Sequence, residues 1–323
     1  MTDTATATTS LRAAAHPFRF AVQYGKPESP AAFREMARKV EDLGYSTLYC
    51  HDHFWDSWSP IVHPAIAAEI TTTLRVGTLV FAADYRHPAV LAKDFATLDL
   101  LAEGRTEFGI GAGWLTEDYE QSGIGLDRPG VRIDRMIEAL EVIKGLWLGE
   151  PFEYDGEHYQ ISGMVGRPLP HTPGGPPIII GGGGKRVLTE AARLADIISL
   201  NPNLREGTVG ADAARSSVAG KFAERRQWIA DAAGERFGDI EIQLNTFMAL
   251  VTEDADSILE QFAPGFGLTL AEAREVPLVL AGTVDDICEQ LHHHREAYGA
   301  SYIAIHDPEV DAMAPVVARL AGT

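Results

Sequence analysis

The chain has few cysteines and a deficit of positive charge. Only two of its 323 residues are cysteines, Cys50 and Cys288, which excludes a disulfide scaffold and indicates reduced thiols in a cytoplasmic protein. Lysine and arginine number 27 against 46 aspartates and glutamates, so the net charge is −19. Because this charge repels phosphate backbones, we expect no nucleic-acid partner, and an anionic cofactor must bind through a local site.

Long apolar runs are missing as well. No uninterrupted apolar stretch approaches the roughly 18 residues of a membrane-spanning helix, so we expect no membrane partner. The segment Met1–His16 is rich in alanine and threonine and has neither the basic nor the apolar region of a signal peptide. We therefore expect a disordered tail over residues 1–16, followed by a single catalytic domain over residues 17–323.

Strand and helix patterns alternate along the rest of the chain. Ser29 and Pro30, for example, start a helical periodicity that Gly44 ends. Strands that alternate with helices form parallel sheets, and eight of them in one chain predict a closed α/β fold, the (β/α)8 TIM barrel. The predicted strands are Phe18–Gln23, Ser46–His51, Leu74–Phe81, Thr106–Ile110, Pro177–Ile180, Asp196–Leu200, Ile240–Val251 and Ser301–Ile305.

Two connections are too long for ordinary barrel loops. They are Gly111–Pro176 and Thr252–Val279, and we interpret them as insertion segments that cover or build the active site. The polar segment Ala211–Ala233 is expected to form one helix.

Four consecutive glycines separate the fifth predicted strand from a helix: Gly181, Gly182, Gly183 and Gly184. Backbone without Cβ atoms approaches a phosphate closely, and a helix start supplies free N–H donors. Lys185 and Arg186 follow in the first helical turn, where cations are unfavourable unless an anion is bound. The segment therefore predicts a phosphate site; the alternative is a flexible turn.

A second glycine-rich segment, Gly109–Trp114, ends the fourth predicted strand. Its spacing is GxGxG rather than GxGxxG, and no acidic residue follows at the required distance on a second strand, so we reject a Rossmann fold. The small residues Gly111, Ala112 and Gly113 would let a flat ring lie on the barrel mouth. A tight strand exit explains them equally well.

Three polar residues, His51, Asp52 and His53, crowd the end of the second predicted strand, where barrel enzymes carry catalytic residues. Strand alternation puts the two histidines on one side and Asp52 on the other. Two histidines on one face also raise a rival hypothesis, a metal-dependent hydrolase with Asp307 at the end of the last strand.

Aromatic residues follow the same two strands. Phe54, Trp55 and Trp58 come after the second strand, and Trp114 comes after the fourth. Tryptophan suits a ligand pocket, but ordinary loop packing is an equal alternative for each of these residues. The histidines 292–294 point in different directions on a helix and are interpreted as surface.

Several segments together, in this order and spacing, resemble the luciferase-like monooxygenase superfamily, and the chain is most similar to its coenzyme F420-dependent branch. The resemblance runs from Phe18 to Asp307. The matching segments are Leu74–Val80, Tyr85–Lys93, Ala96–Asp99, Gly104–Arg105, Gly109–Trp114, Gly156–Tyr159, Pro176–Ile178 and Gly181–Gly184.

The resemblance implies a bacterial-luciferase-like barrel, usually a homodimer, that uses reduced FMN with oxygen or F420 for hydride transfer. Asp52 and His53 would lie beside the cofactor ring. The Leu79–Val80 peptide, often a non-prolyl cis bond, would support the ring from behind. The four glycines would hold the cofactor phosphate, with Lys185 and Arg186 beside them.

The chain departs from the sugar-phosphate dehydrogenases of this family. Trp114 stands where they have an acidic residue, which argues against a sugar phosphate. Ser57 stands in place of their tryptophan, with Trp55 and Trp58 on either side. The resemblance therefore implies an aromatic pocket for a hydrophobic substrate, with Gln23, Trp55, Trp58 and Trp114 as substrate contacts.

We therefore predict hydride transfer between F420 and a small hydrophobic substrate, with His53 as the proton donor and no metal. A reduced-FMN-dependent monooxygenase that uses oxygen is the alternative. A metal-dependent hydrolase and a cofactor-binding protein without turnover, suggested by Trp114 in place of the acid, are the remaining hypotheses.

Overall fold

The structure, a computed structural model, describes residues 16–208 and 210–323. Apart from His16, the tail that we expect to be disordered lies outside the described residues. Among those that are described, no helix combines the length and the apolar character needed to cross a bilayer.

The described residues form the following elements. The strands are β1 (Arg19–Gln23), β2 (Thr47–Cys50), β3 (Arg75–Thr78), β4 (Phe81–Ala82), β5 (Thr106–Gly111), β6 (Pro151–Asp155), β7 (Gln160–Val165), β8 (Ile178–Gly182), β9 (Ile197–Leu200), β10 (Glu241–Asn245), β11 (Met248–Val251), β12 (Val279–Gly282) and β13 (Ala300–His306). The helices are α1 (Pro30–Asp42), α2 (Val62–Ile70), α3 (Pro88–Leu101), α4 (Thr116–Ser122), α5 (Pro129–Trp147), α6 (Lys185–Leu194), α7 (Ala211–Arg215), α8 (Ala219–Ala233), α9 (Ala255–Phe262), α10 (Leu270–Arg274), α11 (Val284–Tyr298) and α12 (Val310–Leu320).

Eight parallel strands close into a barrel, in the order β1, β2, β3, β5, β8, β9, β10 and β13, and β13 pairs with β1. These strands coincide with the eight predicted segments, so the predicted (β/α)8 barrel is confirmed. Helix α1 shows why the sequence pattern predicts a helix at this position. The Ser29 side chain accepts a hydrogen bond from the Ala32 N–H, Pro30 opens the helix, and Phe33, Ala37 and Val40 form its buried face.

Three predicted elements are divided in the structure. The third strand stops at Thr78 and resumes as β4, and the cis Leu79–Val80 peptide lies in between. The predicted strand Ile240–Val251 splits into β10 in the barrel and β11 outside it. Its backbone changes partner there: the Thr246 N–H donates to Ala304, whereas the Phe247 N–H donates to Leu278.

The predicted polar helix also breaks, into α7 and α8. Ser216 and Ser217 both donate their hydroxyls to the Ala213 carbonyl, and Val218 has extended backbone. Hydroxyl bonds of this kind compete with the helical ladder, which explains the break. The two predicted insertions have secondary structure of their own: α4, α5 and the β6–β7 hairpin in the first, and α9 and α10 in the second.

A buried polar cluster fills the N-terminal end of the barrel. We call it the Glu107 network; its members are Arg19, Tyr49, Arg75, Glu107 and Tyr302. Glu107 accepts hydrogen bonds from both arginines at 2.9 Å and from both tyrosine hydroxyls. Burial alone would raise the pKa of Glu107, but the two guanidinium charges, together with the hydrogen bonds from Tyr49 and Arg19, lower the pKa below its ordinary value. With this end occupied, the C-terminal mouth is left for a ligand.

Candidate active site

A cavity of about 690 Å³ opens at the C-terminal ends of the barrel strands. It brings together residues that are distant in sequence, because parallel strands end at the same face of the barrel. The predicted site residues that line it are Gln23, Asp52, His53, Trp55, Leu79, Val80, Gly111, Ala112, Gly113, Trp114, Gly181, Gly182, Gly183, Gly184, Lys185 and Arg186.

Trp58, which we expected to contact substrate, is not among the cavity-lining residues. Ser57 donates its hydroxyl to the His53 carbonyl, and the Trp58 N–H donates to the Gly25 carbonyl. This turn directs Trp58 towards the outer wall, where its ring lies 5.3 Å from that of Phe33. Its aromatic surface therefore packs against the core.

Asp52 is held by an ion pair. Both of its carboxylate oxygens accept from the Arg86 guanidinium, at 2.6 and 3.0 Å, and Oδ2 also accepts from the Ala82 N–H at 3.1 Å. Two parallel bonds of this kind fix geometry as well as charge. Asp52 therefore joins the end of β2 to β4 and orders the wall that follows the cis peptide.

His53 pairs with a carboxylate that the sequence pattern did not reveal. Its Nδ1 lies 2.5 Å from Oδ2 of Asp118, on α4. Asp118 is buried and also accepts from the Phe54 N–H at 3.0 Å and from the Tyr85 hydroxyl at 3.2 Å. Burial, followed by the charge of Asp118, raises the pKa of Tyr85 above its ordinary value, which keeps that hydroxyl protonated.

Aromatic rings enclose His53. Its ring centroid lies 4.2 Å from that of Trp55 and 5.6 Å from that of Trp114, the latter edge-on. These contacts account for the low exposure of the His53 side chain, 15%. At this end of the cavity, two tryptophan rings therefore surround the His53 imidazole.

His51 has a different environment. Its Nε2 accepts a hydrogen bond from the Trp55 indole N–H at 3.0 Å. Burial, and then the neighbouring His53 and His306, lower the pKa of His51 to about 4, so it is neutral at neutral pH. His51 and His53 thus have separate partners, and among the described residues no three His, Cys, Asp or Glu side chains are arranged to hold a metal ion.

One wall of the cavity is formed by the cis Leu79–Val80 peptide. The Gln23 amide donates to the Leu79 carbonyl at 2.8 Å and fixes its orientation. Gly109 permits the close packing behind this wall, because a Cβ there would lie 2.0 Å from the Thr78 carbonyl oxygen. The wall is therefore a flat apolar surface with its backbone held from β1.

The glycine run spans the end of β8 and the N-cap of α6, and it begins beside the Val80 side chain, because a Cβ on Gly181 would lie 3.6 Å from it. Gly184 is the N-cap of α6 and provides no side-chain acceptor, so the first-turn N–H groups are available to a ligand. A Cβ on Gly183 would lie 2.2 Å from the Pro202 carbonyl oxygen, whereas one on Gly184 would meet nothing within 4 Å. The run thus supplies donors and close backbone approach, as an anion site requires.

A buried arginine lies behind this run. The Arg225 Nε, on α8, donates to the Gly183 carbonyl at 2.9 Å, and its Nη1 has no hydrogen-bond partner. Burial lowers the pKa of Arg225 to about 10 against a smaller opposing effect of Glu224, so the guanidinium is still charged at neutral pH. No sequence pattern pointed to Arg225, which is one of several cations on a polar helix.

The two predicted cations at the start of α6 differ from one another. Arg186 is paired with Asp134 and donates to the Gly130 carbonyl at 3.2 Å. Lys185 is exposed, and its Nζ lies 5.8 Å from the centre of the Trp228 ring. Lys185 is therefore the freer of the two for an anionic ligand.

The family model for luciferase-like monooxygenases matches residues 13–308. Among curated proteins, the chain is 33% identical over 179 residues to the F420-dependent glucose-6-phosphate dehydrogenase of Kineococcus radiotolerans, covering 52% of this chain and 51% of that one. The corresponding enzyme of Amycolatopsis mediterranei is 30% identical over 176 residues, covering 52% of each chain. The chain thus spans about half the length of these curated relatives.

Solved structures share the whole fold. The coenzyme F420-dependent tetrahydromethanopterin reductase of Methanopyrus kandleri aligns with a TM-score of 0.75 at 18% identity, covering 95% of this chain and 99% of that one. An F420-dependent secondary alcohol dehydrogenase, in complex with an F420–acetone adduct, aligns with a TM-score of 0.77 at 16% identity. The alignment covers 94% of this chain and 99% of that one. The third structure is the oxygenating constituent of 3,6-diketocamphane monooxygenase from Pseudomonas putida, in complex with FMN. It aligns with a TM-score of 0.68 at 18% identity, covering 94% of this chain and 96% of that one.

Proposed function

The chain belongs to the luciferase-like monooxygenase family, and from this premise we propose that it is an oxidoreductase that transfers a hydride between coenzyme F420 and a small, neutral, hydrophobic substrate at the barrel mouth. The observation that carries the proposal is the cavity itself. It joins an anion-binding end, a flat peptide wall and an imidazole enclosed by aromatic rings.

The residues present suit a cofactor with a tricyclic ring and a phosphate. The unblocked N–H groups at Gly184 and the buried charge of Arg225 support the phosphate position. The Leu79–Val80 wall supports the ring position, and the curated relatives named above are F420-dependent enzymes. The bound cofactor would supply the hydride donor or acceptor, while the protein orients it and excludes water.

The substrate end of the cavity supports a neutral, hydrophobic substrate. Asp52, which lines the cavity, and Asp118, which is buried behind His53, already have internal partners. Trp55 and Trp114 provide the surrounding surface. In this proposal His53 exchanges the proton that accompanies hydride transfer.

A homodimer in a reducing cytoplasm completes the proposal. Exposed apolar side chains on the adjacent helices α2 and α3, Val62, Ile66, Val90 and Leu101, support a subunit contact. Cys50 and Cys288 are both free and buried, which suits a reducing compartment.

A reduced-FMN-dependent monooxygenase is the second candidate. FMN also has a ring and a phosphate, and the Pseudomonas putida structure contains it. The two candidates differ in the longer anionic tail of F420, which would extend beyond the phosphate towards exposed Lys185.

Titration of the purified protein with each cofactor tests the proposal. We expect tighter binding of F420 than of FMN, with an F420 affinity that falls as the Debye length drops below about 10 Å. Lys185→Ala should weaken F420 binding more than FMN binding, whereas Lys221→Ala, an exposed lysine on α8, should change neither. Tighter binding of FMN, with oxygen consumption by the reduced complex, would assign the monooxygenase reaction instead.

A further inference from the structure

The Asp118–His53 contact defines which ring nitrogen of His53 carries hydrogen. A carboxylate only accepts hydrogen bonds, and Asp118 accepts from the Phe54 N–H, the Tyr85 hydroxyl and Nδ1 of His53. Nδ1 is therefore the protonated nitrogen of the neutral ring. The lone pair is then on Nε2, across the ring from Asp118.

Nε2 of His53 is the atom left for chemistry. It makes no hydrogen bond with any residue in the described part of the chain, and the ring lines the cavity between Trp55 and Trp114. His51 is not equivalent, because its Nε2 already accepts the Trp55 indole hydrogen. Protonation of His51 at that atom would break this bond, whereas protonation of His53 at Nε2 breaks none.

We propose that Asp118 is a positioning residue that fixes His53 in the Nδ1–H tautomer, so that Nε2 accepts the hydroxyl proton of an alcohol substrate. This inference rests on the proposed function and assigns the substrate class, a small neutral alcohol or its carbonyl product. Bound oxidised deazaflavin would take the hydride from the substrate C–H bond, the O–H proton would go to Nε2 of His53, and a carbonyl group would form. In the reverse direction the imidazolium returns that proton to the carbonyl oxygen.

Asp118→Asn changes the tautomer that is favoured for His53 while keeping a side chain of nearly the same shape at position 118. The asparagine carbonyl can keep the Phe54 N–H bond, which leaves its NH₂ group facing His53 Nδ1 and the Tyr85 oxygen. Because NH₂ donates to both, it turns His53 to the Nε2–H tautomer without emptying the site. Glu120→Gln, an exposed residue on the same helix, is the control with the same change of charge.

Two measurements decide the proposal. Nitrogen NMR of the cofactor-free protein, labelled in histidine, should report Nδ1–H for His53 in the wild type and in Glu120→Gln, and Nε2–H in Asp118→Asn. Oxidation of 2-propanol or cyclohexanol with F420 should fall about 10²–10⁴-fold in Asp118→Asn, with the affinity for F420 unchanged.

An unchanged tautomer in Asp118→Asn would overturn the positioning role, and a changed tautomer with full turnover would overturn the role of Nε2. His53→Gln distinguishes these failures from failure of the proposed function. If His53→Gln keeps full turnover, or if the wild type oxidises neither alcohol, the proposed reaction is wrong, and the NMR result alone then decides whether Asp118 sets the tautomer.

Discussion

At the scale of single residues, Arg225 departs most from what a folded protein ordinarily tolerates. A buried cation without a directly bonded carboxylate is costly, because the interior replaces its hydration only in part. Here the guanidinium lies directly behind Gly183 and its Nη1 has no partner. An anion bound on the other side of that loop would offset the charge.

Arg225→Met should therefore weaken binding of phosphate-bearing cofactors by about tenfold, the equivalent of about 1.4 kcal/mol. Binding of the same ring systems without phosphate, such as riboflavin, should be unchanged. Calorimetric titration with FMN and riboflavin, in parallel with F420 and its dephosphorylated chromophore, measures the difference. An equal loss for both members of a pair would mean that Arg225 only holds the loop together.

Residues that follow a strand were accessible to prediction, but their partners were not. His53, Trp55 and Trp114 directly follow strand ends, which in a barrel meet at one face. Asp118 contacts His53 from 65 residues away in sequence. Arg225 contacts Gly183 of the glycine run from 42 residues away. No periodicity links such positions, since only the packing of α4 and α8 brings them together.

At the scale of elements, the start of α6 provides a test of the anion site that leaves the backbone intact. Gly184 has φ −93° and ψ 151°, which any residue adopts, and a Cβ there would meet no atom within 4 Å. Gly183 is unsuitable, because its Cβ would meet the Pro202 carbonyl and any substitution would displace the loop.

Gly184→Asp should weaken binding of F420 or FMN at least tenfold, by about 1.4 kcal/mol or more, through repulsion of the phosphate and competition for the first-turn N–H groups. Aspartate is a favourable N-cap, so the melting temperature should not fall. Gly184→Ala is the matched control and should bind nearly as the wild type. If the wild type, Gly184→Asp and Gly184→Ala bound the cofactor with equal affinity, the phosphate would not bind at the start of α6.

The elements themselves were predictable where local signals decide them. The Ser29–Pro30 start of α1 is such a case. The cis peptide between β3 and β4 was expected only from the family resemblance. The break between β10 and β11 was not predictable, because it depends on distant backbone partners. The apolar pattern of Ile240–Val251 continues through Thr246, where the chain leaves Ala304 for Leu278.

At the scale of the whole molecule, His63 and His294 couple folding to pH, in addition to His51 in the cavity. Burial lowers the pKa of His63 to about 3 and that of His294 to about 4, against an ordinary value of 6.5. Above pH 6.5 both are neutral in the folded and unfolded states. As the pH falls below 6.5, the unfolded chain takes up protons that the folded chain does not, so stability decreases.

We therefore expect the free energy of unfolding to fall by about 1.4 kcal/mol per histidine between about pH 7.5 and about pH 5.5. The free energy of unfolding of His63→Leu should fall correspondingly less over this pH range. The exposed variant His171→Asn should behave as the wild type. Urea denaturation at both pH values measures this. Buried carboxylates such as Glu107 respond in a lower window, below their ordinary pKa of 4.5. An identical fall in His63→Leu would assign the acid sensitivity to other groups.

The Glu107 network also has a kinetic consequence. Because it fills the N-terminal end of the barrel, the ligands of the cavity enter and leave by the C-terminal mouth. The ligand that lies deeper must then arrive before the outer one and depart after it. If a cofactor and a substrate occupy the cavity one above the other, we expect a compulsory binding order, and a slowly released outer product would delay renewal of the ligand beneath it.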